Sequence, residues 1–354
     1  MLLTIGILFC NKDIEYLPTL LKNIKDKVFI EYEVILLDNR NTFETDISFL
    51  DEYTVLNKEQ GNLYQLVGRK KIIEQAQGKY LWFVDADDDV FPIDESFLEI
   101  IEKDIDINIF SYLGLNGDEQ FWAEEQNADY TGDLLRPDCY KLSCLWNKWI
   151  KADKLKEVAK LVPDNVKVSA SEDNFYNLVL LKICNSLSYH NKYIYTFNYD
   201  RSCSGYNDYS NNLEKYKRCF FGLEDANKLI RTYLSEEDLK KLKLNIDKSD
   251  CNFFLRKVFQ TTDKETQSQM FEIIKTHFSD ELLKEMYNEL LDTLEFTEES
   301  YKQIYNLFYK YYGDDFGYIE VETTYVFNTG TEVRQERVAK TPVKYKEIKD
   351  EDTN

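Results

Sequence analysis

Before residue 90 the chain contains apolar runs that end abruptly in polar residues. Leu2–Phe9 stops at Cys10-Asn11-Lys12, Tyr32–Leu37 at Asp38-Asn39-Arg40-Asn41, and Tyr80–Val84 at Asp85-Ala86-Asp87-Asp88-Asp89. Short apolar runs bounded by polar loops read as buried strands. Between the first two, Leu17, Leu20, Leu21 and Ile24 recur at helical spacing. After the second come a short apolar piece at Tyr53–Leu56 and a helical pattern from about Leu63 to Gln77, closed by Gly78. The order strand, helix, strand, strand, helix, strand predicts an α/β sheet. Its polar loops gather at the carboxyl ends of the strands, where open sheets of this kind bind ligands.

Beyond about Tyr206 the texture changes. Segments near 211–234, 236–260, 264–278, 280–294 and 298–312 carry helical periodicity, and Ser235-x-x-Asp238 and Thr262-x-x-Glu265 resemble helix-start boxes. From Phe316 onward Ile319, Val321, Thr323, Tyr325 and Phe327 alternate, Asn328-Thr329-Gly330 offers a turn, and Val333–Val338 returns as a partner strand. The predicted organisation is a sheet domain over 1–205, a helical module over 206–312, a β-hairpin extension over 313–345 and a flexible acidic tail over 346–354.

Charge and composition narrow the function. The balance of 44 basic against 65 acidic side chains gives a net charge of −21, which disfavours a non-specific grip on nucleic acid, since that binding neutralises phosphates. No apolar run approaches the roughly 20 residues that span a bilayer, and the amino terminus opens into a strand-like segment without a basic region before it. The expectation is a soluble, cytoplasmic protein without a transmembrane segment. The seven cysteines are scattered and form no C-x-x-C pair, and the histidines are His190 and His277. Any bound cation therefore rests on oxygen ligands, as magnesium or manganese would.

The strongest chemical feature is the strand Tyr80–Val84 emptying into Asp85, Asp87, Asp88 and Asp89. In an extended chain Asp85 and Asp87 point the same way, roughly 6.5 Å apart at about 3.3 Å per residue. One carboxylate could then reach a ribose hydroxyl while the other coordinates a divalent ion on a diphosphate. The competing explanation is a solvated acidic loop in which Asp88 and Asp89 start a helix.

In this order the motifs resemble the family-2 glycosyltransferases of GT-A fold. Thr4-Ile5-Gly6-Ile7-Leu8-Phe9-Cys10-Asn11 matches the family's first strand and polar loop, and Leu37-Asp38-Asn39-Arg40-Asn41 its second. Gly68-Arg69-Lys70 matches its Ala-Arg-Asn step, and Phe83-Val84-Asp85-Ala86-Asp87-Asp88 its aspartate motif. Order and spacing agree through about residue 200. The family's usual proline and tyrosine in the first loop are Leu8 and Cys10 here, and its second acidic position in the base-binding loop is Asn39. The resemblance implies a GT-A (Rossmann-like) mixed sheet flanked by helices over 1–205. It also implies a nucleotide-diphosphate sugar donor, uridine diphosphate being the leading head group. Phe9, Asn11, Asp38, Asn39, Arg69, Asp85 and Ala86 would bind that donor, with magnesium or manganese on Asp87 and Asp85.

Ser171-Glu172-Asp173 looks like the family's Glu-Asp pair, whose aspartate is the general base toward the acceptor hydroxyl in inverting members; helix capping by the same residues is the plainer explanation. Leu145-Trp146-Asn147-Lys148 matches a Trp-Asn-Lys step in relatives, where Trp146 offers a face to a sugar ring and Lys148 a cation to hydroxyls or phosphate. His190 and the Arg201-Ser202-Cys203-Ser204 loop lie where some relatives complete the metal or diphosphate site. The predicted reaction is transfer of a sugar to a hydroxyl of a glycan, polymer or protein acceptor. It proceeds with inversion, Asp173 as base and Glu172 orienting it, and the carboxy-terminal module offers a surface for homo-oligomerisation. The alternatives are a catalytically silent sugar-binding or assembly protein of the same fold, and a transferase acting on modified nucleic-acid bases.

Overall fold

The computed structural model describes residues 1–58, 60–114, 128–140, 144–168, 170–198, 211–293, 298–313, 323–328 and 333–338. The chain divides into two compact units, Met1–Tyr209 with Glu214–Ile246, and Ser210–Leu213 with Asp247–Asn354. The first unit thus runs past residue 205. The tail expected over 346–354 and the Arg201–Ser204 loop lie outside the described residues.

In the first unit the elements follow as β1 (Leu3–Phe9), α1 (Leu17–Lys27), β2 (Tyr32–Asp38), β3 (Thr54–Leu56), α2 (Tyr64–Gln75), β4 (Tyr80–Asp85) and β5 (Asp89–Val90). Then come α3 (Leu98–Glu102), β6 (Ile107–Gly114), β7 (Asp129–Thr131), β8 (Lys148–Lys151), α4 (Ala152–Ala159), α5 (Glu172–Ile183), β9 (Ser186–Phe197), α6 (Leu213–Tyr233) and α7 (Glu236–Lys241). The strands form one sheet in the order β3-β2-β1-β4-β8-β6-β9-β5, with β7 also on β9. The first four are parallel, as their continuous apolar runs require, while β8 is antiparallel to both β4 and β6. This is the mixed α/β sheet with flanking helices that the sequence predicts.

Strand alternation sends side chains to two cores. Leu3, Ile5 and Ile7 of β1 and Tyr80, Trp82 and Val84 of β4 pack on the α1 side. Ile35 and Leu37 of β2 and Leu81 and Phe83 of β4 pack on the side of α2, α4 and α5. Two glycines set how closely these layers approach. A Cβ on Gly6 would lie 2.6 Å from Ile72 of α2, and one on Gly78 would lie 2.4 Å from the backbone nitrogen of Thr4. Gly78 is therefore a close-approach residue; the helix has already ended at Gln75.

Helices α6 and α7 contribute Ala226, Ile230 and Leu239 to the α2-side core, joined by Leu234 from the link between them. The Ser235-x-x-Asp238 box forms as predicted, with reciprocal bonds between the two residues. Asp238 Oδ2 also accepts from Lys182 Nζ at 2.7 Å, and Lys182 with Ser235, outweighing burial, holds the carboxyl at about 2. Because this folded-state value lies below the ordinary 3.8, the stabilisation is present above 3.8 and is lost as pH falls through about 2. Asp238→Asn is expected to cost about 1 kcal/mol at neutral pH. In urea titrations the gap to wild type should close between pH 4 and 2; a gap constant with pH would rule out the ion pair as its source.

The second unit holds α8 (Ile246–Gln260), α9 (Lys264–Lys275), α10 (Asp280–Thr293), α11 (Glu298–Tyr312) and the antiparallel hairpin β10 (Thr323–Asn328) and β11 (Val333–Val338). The periodicity read over 236–260 is broken between α7 and α8, where Lys243 takes a left-handed φ of 53°. The helix-start box read at Thr262 is displaced by one residue, since Asp263 is the cap and accepts from Thr266 N–H. Aromatic rings fill the bundle, with Phe308 centred 4.1 Å from Tyr287 and 4.8 Å from Phe271. No helix among the described residues is long and apolar enough to cross a membrane.

Candidate active site

The parallel strands deliver their last residues to one edge of the sheet. Phe9 pairs with Asp38 and Leu8 with Asp85, so the ends of β2, β1 and β4 stand side by side. Asp85 continues the Leu81–Phe83 face and therefore points toward α2 and α5. There it meets Arg69, which is only 5% exposed. Arg69 Nη2 lies 3.7 Å from Asp85 Oδ1 and 3.3 Å from Asp173 Oδ1, and its Nε lies 3.2 Å from Glu172 Oε1. The guanidinium carbon sits 4.7 Å over the Phe83 ring, a cation–π contact that fixes its plane. Three carboxylates thus converge on one buried cation.

Glu172 and Asp173 open α5, where the unpaired N–H groups of a first turn favour negative charge. Entry into that helix is strained. Ser171 takes φ 60°, ψ 24°, a left-handed conformation costing a non-glycine residue about 1–3 kcal/mol. The electrostatics match the crowding. Burial works against the Arg69 charge, but Asp173, Glu172 and Asp85 outweigh it and raise its proton affinity. Burial, reinforced by Glu172 and opposed by Arg69, pushes Asp173 well above the ordinary carboxylate range. Its Oδ1 is buried and lacks an aligned hydrogen bond, so Arg69 holds it by charge alone. Burial also pushes Asp85 up to about 6, against Arg69 and with Asp87, Glu172 and Asp13 adding to the rise. The Asp85 side chain remains 39% exposed and so opens to solvent.

The acidic run does not stay extended. The Asp88 N–H donates to the Asp85 carbonyl at 3.2 Å, so the chain turns, and the parallel presentation predicted for Asp85 and Asp87 does not form. Ala86 tucks into the α1-side core and Asp87 is half-exposed. Asp88 is buried, accepting from the Tyr195 hydroxyl at 2.5 Å and the Asn198 N–H at 2.7 Å. Burial, with Asp85 and Asp87 nearby, raises it to about 8. Asp89 begins β5 and pairs with Lys27 at 3.1 Å. No helix starts at Asp88 or Asp89.

Several predicted donor-site residues are engaged within the protein. Phe9 is buried in the α1-side core. Asn11 ties the first loop to the second through Thr42 O, Thr42 Oγ1 and the Asn41 N–H. Asp38 is fully buried and accepts three bonds from Arg40, at 2.9 Å from Nε, 2.7 Å from Nη2 and 3.1 Å from the backbone N–H. Asn39 Oδ1 accepts from the Leu63 N–H at 2.7 Å. Trp146 stacks on Tyr195 at 4.6 Å. Lys148 is buried, donates to the Cys144 carbonyl and Asn147 Oδ1, and has its proton affinity lowered by that burial.

The structure does not bring His190 to the carboxylates. Its Nε2 lies 2.9 Å from Asn108 Oδ1, its ring stacks on Phe110 at 5.0 Å, and burial lowers it to about 4. Among the described residues no three His, Cys, Asp or Glu side chains are grouped to hold a metal ion by themselves. Sequence reasoning missed Arg40 and Tyr195. The Asp38-x-Arg40 spacing hints at the first, whereas the role of Tyr195 depends on the pairing of β9 with β5.

Residues 4–170, which carry this edge of the sheet, match the family model described as glycosyl transferase family 2. These residues form a family 2 glycosyltransferase domain. No curated protein matches the chain. Among solved structures, that of S. aureus TarS 1-349 in complex with UDP-GlcNAc is 15% identical, with a TM-score of 0.52, covering 96% of the glycosyltransferase and 100% of the TarS chain. The crystal structure of S. aureus TarS 1-349 is 17% identical with a TM-score of 0.49, covering 94% and 98%. At such identities the likeness to the TarS–UDP-GlcNAc structure bears on the fold, and the fold of the glycosyltransferase is GT-A.

Proposed function

We propose that this glycosyltransferase moves a sugar from a nucleotide-diphosphate donor to an acceptor hydroxyl with inversion, Asp173 being the general base. The convergence of Asp85, Glu172 and Asp173 on Arg69 carries the reading, because it sets the proposed base against the strand end proposed to hold the donor. Uridine diphosphate is the leading head group; a structure of this fold, S. aureus TarS, is described in complex with UDP-GlcNAc.

The donor set fits a hard divalent cation. Asp85 and Asp87 offer carboxylate oxygens at an open edge, and mutual repulsion helps to raise Asp85 to about 6. Magnesium and manganese commonly use one or two carboxylates together with substrate phosphates. Asp87, with Asp85 beside it, would hold the ion, which when bound neutralises charge on the departing diphosphate. Asp173 takes the acceptor proton on a carboxylate oxygen, and burial beside Glu172, which raises its proton affinity, makes it a stronger base than an exposed carboxylate. Glu172 orients the pair by anchoring Arg69 Nε. The acceptor is a glycan, polymer or protein hydroxyl, the catalytic domain is the first compact unit, and the helices and hairpin of the second unit serve acceptor binding or self-association.

Calorimetric titration of UDP with and without manganese tests the donor reading. Wild type should bind UDP more tightly with manganese, and Asp87→Ala should lose roughly 100-fold in that affinity, the scale of removing one partner from a close charge contact. Absence of UDP binding to wild type under both conditions would overturn the reading.

A further inference from the structure

We infer that Tyr195, on β9, is a positioning residue for the donor site. The inference rests on the proposal that Asp87 and Asp85 hold a cation with the nucleotide diphosphate. The Tyr195 hydroxyl accepts from the Asp85 backbone N–H at 3.2 Å and donates to Asp88 Oδ2 at 2.5 Å. The other Asp88 oxygen accepts from the Asn198 N–H at 2.7 Å. One buried hydroxyl therefore bridges the first and last residues of the turn in which Asp87 sits, and the Asp85 carbonyl to Asp88 N–H bond closes the same turn at 3.2 Å. On the far side of the turn, Asp89 and Val90 pair with Thr196 and Tyr195 itself. The segment that leaves β4 is thus fastened to a few residues of β9.

The hydroxyl has little freedom to follow the turn if the turn drifts. Its ring stacks on Trp146 at 4.6 Å and 16° and meets Trp82 edge-on at 6.5 Å and 70°. Trp82 Nε1 in turn donates to the Trp146 carbonyl at 2.5 Å, so the rings on either side are themselves joined. A rigid phenol on a different strand thereby sets the geometry of the carboxylate turn, as outer groups do when they orient metal ligands. A tyrosine that merely filled the core would still satisfy its hydroxyl, but a single backbone carbonyl would suffice, as at Tyr80. Here the oxygen both accepts and donates within a four-residue turn.

Tyr195→Phe keeps the ring and removes the hydroxyl alone. Tyr80→Phe is the matched control, because Tyr80 is buried at the opposite end of β4 and donates to the Ile105 carbonyl at 2.8 Å. Both variants should show comparable shifts in thermal unfolding without ligand. Only Tyr195→Phe should weaken manganese-dependent UDP binding, by about 10–100-fold, leaving UDP affinity without manganese unchanged. Asp88→Asn should weaken it in the same sense. The double variant should then bind no worse than the weaker single, since the two residues form one latch. Wild-type affinity in Tyr195→Phe, an equal loss in Tyr80→Phe, or additive losses in the double variant would overturn the inference. If wild type binds no UDP with manganese, the donor reading itself fails.

Discussion

Asp173→Asn is expected to slow sugar transfer by about 10²–10⁴-fold while leaving manganese-dependent UDP affinity within about a factor of two of wild type. Asparagine keeps the size of the side chain and cannot take a proton from a hydroxyl. The same change should raise stability in the absence of substrate. Asp173 is buried beside Glu172, its Oδ1 lacks an aligned hydrogen bond, and the pair already shares Arg69 with Asp85. Removing that charge relieves repulsion, so loss of turnover together with a higher unfolding midpoint marks a residue kept for chemistry at the expense of the fold. Single-turnover transfer and urea melts measure the two sides. Retained transfer in Asp173→Asn would remove it as the base.

Arg69→Met is expected to have the largest effect on stability. Losing one partner of a buried ionic group costs about 3–5 kcal/mol, and here three carboxylates lose their common cation. The methionine side chain still covers Phe83, so the change tests charge more than packing. Without Arg69 the folded-state affinities of Asp85 and Asp173 for protons rise further above their unfolded values. The folded variant therefore binds more protons than its unfolded chain, and its stability must rise as pH falls. Because Asp85 already lies at about 6 with Arg69 present, the deficit should be greatest near pH 8 and shrink toward pH 5. Urea midpoints across that range decide the matter, and a deficit independent of pH would assign the loss to the Phe83 contact.

The amino-terminal half of the sheet is legible because buried parallel strands leave continuous apolar runs, and β1, β2 and β4 each end where polarity begins. The strands that follow leave no such mark. β8 is four residues long and includes the buried Lys148, and β9 mixes tyrosines with Ser186, His190 and Lys192. At the site, Arg69, Asp85, Glu172 and Asp173 can each be picked out by motif order. Their meeting requires α2 and α5 to pack on one face of β4, which no spacing along the chain records. The fate of Asp38 is hidden for the opposite reason. Its partner, Arg40, is so close in sequence that the loop looks like two exposed charges when it is a closed fork. The lone histidine that looks suited to a metal is held by Asn108 and Phe110, a packing role indistinguishable by residue type from a ligand.

The acidic run after β4 is a single word in the sequence and a set of separate addresses in the molecule. Asp85 faces the arginine, Asp87 stands half in solvent, Asp88 is latched to β9 and Asp89 answers a lysine of α1. A scan of substitutions through these neighbouring codons should therefore give no graded series of weaker enzymes. Each position should break in its own way, so the run can diverge one letter at a time, each under a selection the others do not feel.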